Sequence, residues 1–210
     1  MKVITIPILS DNYSYLIVDK DNKFCSAVDP ASPEEIIPVI EKEKLDLKNI
    51  LNTHYHSDHV AGNLELKKKY KCNIYGPEKE KDQIPEINNT LKENDIIKIN
   101  NYTAKIFETP GHTAGHIIYW FSEDNIVFTG DTLFVLGCGK LFEGTPEIMW
   151  NSLLKIRNLP KKTKIYCGHE YSKSNADFAL SVEKNNKKLI KRSDEINKLI
   201  NENSFTVPTT

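Results

Sequence analysis

The sequence predicts an α+β fold, and three observations carry that prediction. Short alternating apolar runs recur at strand length through residues 2–128, a helix-start signal lies among them at Ser32-Pro33-Glu34-Glu35, and residues 172–201 change to helical spacing. A chain of 210 residues suffices for one large domain or one domain with a small appendage.

The elements follow in order. Lys2 to Ile6, Tyr13 to Val18 and Phe24 to Val28 read as strands, with a polar turn at residues 19–22 between the second and third. Asp29-Pro30 breaks the third. Ser32 is placed to cap a helix running to Lys44, with Pro33 in its first turn and Glu34 and Glu35 at its positive end. Leu47 to Asn52 reads as a buried strand, Ala61 to Tyr70 as a helix and Asn73 to Tyr75 as a short strand. Residues 77–94 are polar and show little periodicity. Asp95–Ile99 and Tyr102–Glu108 flank Asn100-Asn101, a two-residue hairpin turn. A second hairpin joins Ile117–Phe121 to Asn125–Phe128. Pro146 to Asn158 has helical spacing, and Lys164 to Cys167 is a short strand. Ser172–Glu183 and Lys187–Asn201 read as amphipathic helices, the latter with an apolar stripe of Leu189, Ile196, Leu199 and Ile200. Helices after a β-rich region suggest a small helical appendage, dividing the chain into 1–169 and 170–210.

Composition narrows the function classes. Hydrophobic residues make up 39% and charged residues 27%, the balance of a soluble globular chain, and the net charge of −1 gives no field for nucleic acid or membrane. Lysine clusters at 67–69, 161–162 and 187–188 read as solvated helix faces and loops. There is no apolar run of membrane-spanning length and no signal-peptide pattern at the N-terminus, so a cytoplasmic protein is expected. Cys25, Cys72, Cys138 and Cys167 form no Cys-x-x-Cys and read as free thiols, Cys138 as a packed thiol and not a nucleophile. Nothing reads as a dimerisation segment, and a monomer is the default.

The chemistry concentrates at Thr53-His54-Tyr55-His56-Ser57-Asp58-His59, which holds three of the six histidines. A chance His-x-His-x-Asp-His in a chain of this composition has odds on the order of one in a few thousand. In an extended segment residues two apart point the same way, so His54 and His56 converge on one cation. Asp58 and His59 follow where the chain turns and face a second position. Imidazole with carboxylate suits Zn²⁺, Fe²⁺ or Mn²⁺, whereas Mg²⁺ or Ca²⁺ calls for oxygen alone. His112, in Thr109-Pro110-Gly111-His112-Thr113-Ala114-Gly115-His116, and Asp131, in Thr129-Gly130-Asp131-Thr132, recur in loops at strand ends.

Together with Gly168-His169, these motifs resemble the metallo-β-lactamase superfamily, in its order and over most of the chain. Gly137-Cys138-Gly139-Lys140-Leu141-Phe142-Glu143-Gly144-Thr145 and Tyr166-Cys167-Gly168-His169-Glu170-Tyr171 resemble the narrower glyoxalase II family, the hydroxyacylglutathione hydrolases. The resemblance implies an αββα sandwich that is catalytic, 1–169, with a C-terminal helical part, 170–210, that helps bind the substrate through its glutathione. It implies two divalent metal ions, most simply Zn²⁺ with Fe or Mn as substitutes: one held by His54, His56 and His112, the other by Asp58, His59 and His169, with Asp131 bridging. His116 is left to a supporting role. It implies hydrolysis of S-(2-hydroxyacyl)glutathione, such as S-D-lactoylglutathione, to glutathione and a 2-hydroxy acid, a step of methylglyoxal detoxification. Asp58 would orient the attacking hydroxide, and Lys140, the aromatic at position 142 (Phe142, where some members have Tyr) and Tyr171 would contact glutathione. The family's basic C-terminal tail is missing after Val207-Pro208-Thr209-Thr210, so weakened glutathione affinity with intact metal chemistry is expected. Rival readings on the same fold are a single-iron persulfide dioxygenase, a lactonase or lactamase-like hydrolase, and a non-enzymatic metal-binding domain. The Gly137–Thr145 stretch weighs against the first two, and the full ligand set against the third.

Overall fold

The computed structural model describes residues 1–19, 21 and 23–210, so the turn expected at 19–22 lies partly outside the described residues. Two sheets dominate. The first runs in the order β1-β2-β3-β4-β5-β6: β1 (Lys2–Ile8), β2 (Asn12–Asp19), β3 (Phe24–Val28), β4 (Asp46–Leu51), β5 (Asn73–Pro77) and β6 (Asn89–Leu91). The second runs β13-β10-β9-β8-β7: β7 (Ile96–Ile99), β8 (Tyr102–Glu108), β9 (Ile117–Phe121), β10 (Ile126–Gly130) and β13 (Lys164–Cys167). A small ribbon, β11 (Leu133–Phe134) with β12 (Gly137–Cys138), stands apart.

Both sheets mix directions. β3, β4, β5 and β6 are parallel neighbours, as are β10 and β13, while the hairpins are antiparallel. Parallel neighbours need crossovers, and crossovers put helices on sheet faces. Helices α1 (Pro33–Lys42) and α3 (Asn63–Tyr70) cross over the first sheet, and α4 (Pro146–Arg157) over the second. The side-chain period of two then sorts each strand. On β2, Tyr13, Tyr15 and Ile17 face the other sheet, whereas Leu16 and Val18 face α1 with Ile36 and Ile40. On β9, Ile117, Tyr119 and Phe121 point inward, and Ile118 packs outward with Val127 and Ile156 of α4. The result is the expected four-layer αββα sandwich.

Most elements lie where the sequence puts them. The Asn100-Asn101 turn closes Ile99 onto Tyr102 with Asn100 in the left-handed region at φ 53°. The differences are local. Ser32 occupies the cap position of α1, but its hydroxyl donates to the Glu34 carboxylate at 2.9 Å and caps no amide. The helix expected over 61–70 is α3, starting at Asn63, and a one-turn helix not expected from sequence precedes it: α2 (Ser57–Val60), begun by the His56 carbonyl accepting from the amides of His59 and Val60. The stretch 77–94, which shows no periodicity, contains one 3₁₀ turn at Glu78–Glu80 and the edge strand β6. Cys138 is exposed on β12 and not packed, because a two-residue ribbon lies outside both sheets; all four cysteines are free.

The final helices α5 (Ser172–Val182) and α6 (Lys187–Asn201) do not form a separate core: Ala176, Ile196 and Val207 join the inter-sheet cluster. On α6, Ile196 is buried, and Leu189, Leu199 and Ile200 are partly so. No helix among the described residues is long and apolar enough to cross a membrane. Phe128 is fully buried between the sheets against Tyr15, Phe121 and Tyr166. Phe128→Ala should therefore lower unfolding free energy by about 3–5 kcal/mol in urea titrations, whereas Val182→Ala, on the exposed face of α5, should stay within about 0.5 kcal/mol.

Candidate metal centre

The carboxyl ends of the parallel strands from both sheets meet in one place. Asp29 follows β3, His54 follows β4, Asp131 follows β10 and His169 follows β13; His112 comes from the loop between β8 and β9. The sheets are tied together there by the Ile117 amide donating to the Thr53 carbonyl at 2.9 Å and the Tyr119 hydroxyl donating to the Asn52 carbonyl at 2.8 Å. Strand ends are rigid and their loops open outward, which suits a site.

Three overlapping groups bring ligand-type atoms within 4.8 Å of one another: His54, His56 and His112; His54, His59 and Asp131; and Asp58, His59 and His169. The Nε2 atoms of His54 and His112 each lie 3.0 Å from His56 Nδ1. Asp131 Oδ2 is 3.3 Å from Nε2 of both His112 and His169, and Oδ1 is 3.4 Å from His59 Nε2. Asp58 Oδ2 lies 3.4 Å from His169 Nε2 and 3.6 Å from His59 Nε2. Thus Asp131 faces the histidines of both halves, and every residue that the sequence singled out as a ligand stands in this cluster.

The hydrogen bonds around the rings assign their tautomers. His169 Nδ1–H donates to Asp11 Oδ1 at 2.9 Å, His59 Nδ1–H to Asp29 Oδ2 at 3.0 Å and His112 Nδ1–H to the Lys140 carbonyl at 2.8 Å. Thr53 Oγ1 gives its proton to Asp29 Oδ2 at 2.7 Å, so it accepts from His54 Nδ1 at 3.0 Å. Each of these four rings then turns Nε2 inward, where a bound cation would take the place of any second proton. The Nε2 atoms of His59 and His169 sit 3.4 Å apart, and buried Asp131 Oδ1 has no hydrogen-bond donor among the described residues. Converging imidazole nitrogens beside buried carboxylates are a donor set for cations, and the nitrogen–oxygen mixture fits divalent transition metals.

The charges agree. Burial, with the neighbouring imidazoles, holds His54 well below the ordinary histidine range. His56 and His112 are lowered, with burial the largest cause in each. Burial likewise disfavours charge on His169, but Asp131, Asp58 and Asp11 outweigh it and push the group up to about 10. A bound cation would answer the same surplus of negative charge. Burial opposes ionisation of Asp131, yet His59, His169 and His112 bring it down to about 2. His116 is fully buried and neutral, lowered to about 3 chiefly by burial; it stacks on His54 at 4.8 Å and accepts the Asp131 amide at Nε2 at 3.1 Å.

Outside the ligand cluster the sequence reading missed the supports. Asp11 and Asn12 drew no reading from the sequence, yet Asp11 orients His169, and Asn12 Nδ2 donates to Asp58 Oδ2 at 2.9 Å. Asp29 read only as a strand break. Their signal is spatial: each is a polar group beside a strand end whose partner lies far along the chain. Gly168 is required by close approach, since a Cβ there would stand 2.3 Å from Asp131 Oδ1.

A cleft of about 470 Å³ opens onto the cluster, lined by His56, Ser57, Asp58, His112, Asp131, Phe134, Lys140, Phe142, His169 and Tyr171. Tyr171 stacks on His169 at 4.7 Å with the rings 7° apart, and Lys140 Nζ lies 4.9 Å above the Phe142 ring. The substrate-contact residues expected from sequence therefore share one wall with the metal cluster. A larger apolar groove of about 530 Å³ under α4 has no histidine, cysteine or acidic side chain in its lining and offers no such chemistry.

Comparison with known proteins fits this geometry. Residues 9–169 match the family model of the metallo-beta-lactamase superfamily, and residues 170–210 match that of the hydroxyacylglutathione hydrolase C-terminus. The chain is 49% identical over 210 residues to the hydroxyacylglutathione hydrolase of Pelagibacter ubique, covering 100% of this chain and 88% of that protein. The chain belongs to the hydroxyacylglutathione hydrolase family. The enzyme of that name from Methylococcus capsulatus is 41% identical over 209 residues, covering 100% of this chain and 82% of its own length. Among solved structures, the B3 metallo-beta-lactamase BLEG-1 superposes with a TM-score of 0.75 at 25% identity, covering 80% of this chain and 92% of that one. ETHE1 from Myxococcus xanthus superposes with a TM-score of 0.73 at 26% identity, covering 81% and 76%.

Two outcomes follow for this member of the family. A raised histidine pKa stabilises the metal-free fold fully below about 6.5, and that stability is lost as pH rises through about 10. The metal-free protein should accordingly lose several degrees of Tm between pH 6.5 and 10, and His169→Gln should flatten the decline in calorimetric scans. Asp29→Asn keeps an acceptor for His59 but removes the charge; chelator competition should show metal affinity down about 10–100-fold.

Proposed function

We propose that this protein is a metal-dependent thioester hydrolase that cleaves S-(2-hydroxyacyl)glutathione, with S-D-lactoylglutathione as the reference substrate, to glutathione and the 2-hydroxy acid, and so serves methylglyoxal detoxification in the cytoplasm. The observation that carries the reading is one cleft in which the cation-ready cluster adjoins Lys140, Phe142 and Tyr171. His54, His56 and His112 would hold one divalent ion and Asp58, His59 and His169 the other, with Asp131 between them. The donor set suits Zn²⁺, Fe²⁺ or Mn²⁺. Residues 1–169 would supply the chemistry, and residues 170–210 part of the thiol-side grip.

Two bound ions would supply Lewis acidity and bring the pKa of a water to roughly 7. The chain's own groups do the rest. Asp58 Oδ2, held by Asn12 and by hydrogen bonding to His169, is well below the ordinary carboxylate range, so it is a pure acceptor at neutral pH and orients a water proton. Asp11, Asp29 and the Lys140 carbonyl fix the imidazoles so that their lone pairs stay aimed inward through turnover. Tyr171, raised to about 12 mainly by burial, keeps its proton and can donate to the peptide portion of the substrate. Lys140 offers a cation to a glutathione carboxylate. The leaving thiolate has a conjugate-acid pKa of about 8.5–9, so no strong general acid is required.

The deciding experiment is turnover of S-D-lactoylglutathione by metal-loaded protein, followed as loss of thioester absorbance, with metal counted by elemental analysis. Two ions per chain and saturable hydrolysis are expected; saturation at one ion with oxygen consumption on glutathione persulfide would overturn the reading. Asp58→Asn should lower kcat by several orders of magnitude with an unchanged circular dichroism spectrum, and near-normal kcat would remove Asp58 from the mechanism.

A further inference from the structure

The loop Lys140–Glu143 supplies two of the cleft's lining residues, Lys140 and Phe142, yet it belongs to no helix or strand. Three sets of contacts hold it. The Lys140 carbonyl accepts His112 Nδ1–H at 2.8 Å. The Phe142 ring meets the rings of His112 and His56 with centroids 5.2 and 5.7 Å apart. At the far end, Glu143 Oε2 accepts the Ala114 amide at 2.7 Å and Oε1 accepts the Tyr55 hydroxyl at 2.5 Å. Tyr55 lies between His54 and His56, and Ala114 between His112 and His116. One carboxylate therefore ties both histidine loops to the loop that carries Lys140 and Phe142. Immediately after it the backbone passes so close to the turn before His112 that a Cβ on Gly144 would stand 2.6 Å from Gly111 Cα.

The adjacent amide is held from another direction. Glu80, 5% exposed, accepts the Gly115 amide on Oε1 at 2.8 Å. Neighbouring amides of a single histidine loop are thus gripped by two carboxylates with different origins. Glu80 comes from the 3₁₀ turn after β5 and braces the histidine loops, against Gly115, Thr113 and the Tyr55 backbone, without touching the Lys140–Phe142 loop. Glu143 comes from the recognition loop and fastens it to the metal cluster. Glu143 is not among the residues lining the cleft, so it acts through those that do.

We infer that Glu143 is a positioning residue for substrate selectivity: its bonds to Ala114 and Tyr55 latch the Lys140–Phe142 loop at a fixed distance from the metal cluster, so that thiol recognition and attack on the acyl carbon share one frame. The inference rests on the proposed glutathione thioester substrate. It also has a sign that simple electrostatics would reverse. Glutathione carries two carboxylates, so removing a nearby negative charge should on charge alone tighten binding; loss of the latch weakens it.

The test uses metal-loaded full-length chain with S-D-lactoylglutathione and with a lactoyl thioester of a small thiol. Glu143→Ala should raise KM for the glutathione thioester about tenfold, with a smaller change in kcat, and reduce the kcat/KM ratio between the two substrates by a similar factor. Tyr55→Phe removes one of the two donors and should give part of that loss; adding it to Glu143→Ala should cost nothing further, because both act through one latch. Glu80→Gln should make metal easier to strip with a chelator while leaving the substrate ratio as in wild type. Amide exchange over residues 140–145 should quicken in Glu143→Ala and Tyr55→Phe irrespective of substrate. Quickened exchange in a protein whose wild type shows no preference for glutathione would support the latch and overturn the proposed substrate. Unchanged exchange, an unchanged substrate ratio or a lowered KM in Glu143→Ala would overturn the latch.

Discussion

Convergence of imidazole nitrogens and carboxylates on one small volume is the constraint around which this molecule is arranged. At the junction of its two sheets, imidazole nitrogens from three separated segments point at one another and at the carboxylates of Asp58 and Asp131. Such a gathering repels itself unless positive charge enters, and burial removes the water that would otherwise screen it. The fold holds the groups together because each is anchored from behind. Asp131 follows the fully buried β10, His54 follows the buried end of β4, and the rings are pinned through their second nitrogens. Rigidity of the sandwich thus becomes rigidity of a donor set.

The pins form an outer ring of carboxylates drawn from distant parts of the chain. Asp11 stands behind His169, Asp29 behind His59 and Thr53, and Glu80 and Glu143 behind the loop after His112. Their work is division of labour by location. The buried pair, Asp29 and Glu80, hold the His59 ring and the histidine loops from inside the fold. The more exposed Asp11 and Glu143 sit where other parts of the molecule meet the cluster: the β1–β2 turn against the helical C-terminal part, and the Lys140–Glu143 loop against the histidine loops. The Glu170 network has the same character, with the hydroxyls of Tyr13 and Thr206 donating to one carboxylate and so fastening residues 170–210 next to His169. In this family member the helical part and the sandwich also share apolar core through Ala176, Ile196 and Val207.

What the sequence determined by itself was whatever is written locally. Strand-length apolar runs marked β1–β3 and the hairpins, with alternation clearest in β1 because a strand with one buried face repeats every second residue, and a short continuous apolar run marked β4. The histidine motifs were legible because soft ligands at fixed short spacing are rare in a chain with only six histidines. Tertiary structure decided the rest. The span 77–94 lacks period because its edge strand is held on one side only, and Asp58 and His59 are aimed by a one-turn helix too short to show a periodicity. Cys138 is exposed because its ribbon leaves both sheets. Asp11, Asp29, Glu80 and Glu143 were ordinary acidic residues in turns until folding set each against an imidazole or an amide tens of residues away. Short-range spacing can announce a ligand, but a hydrogen bond between remote segments has no period, and so only the folded chain reveals what holds a ligand in place.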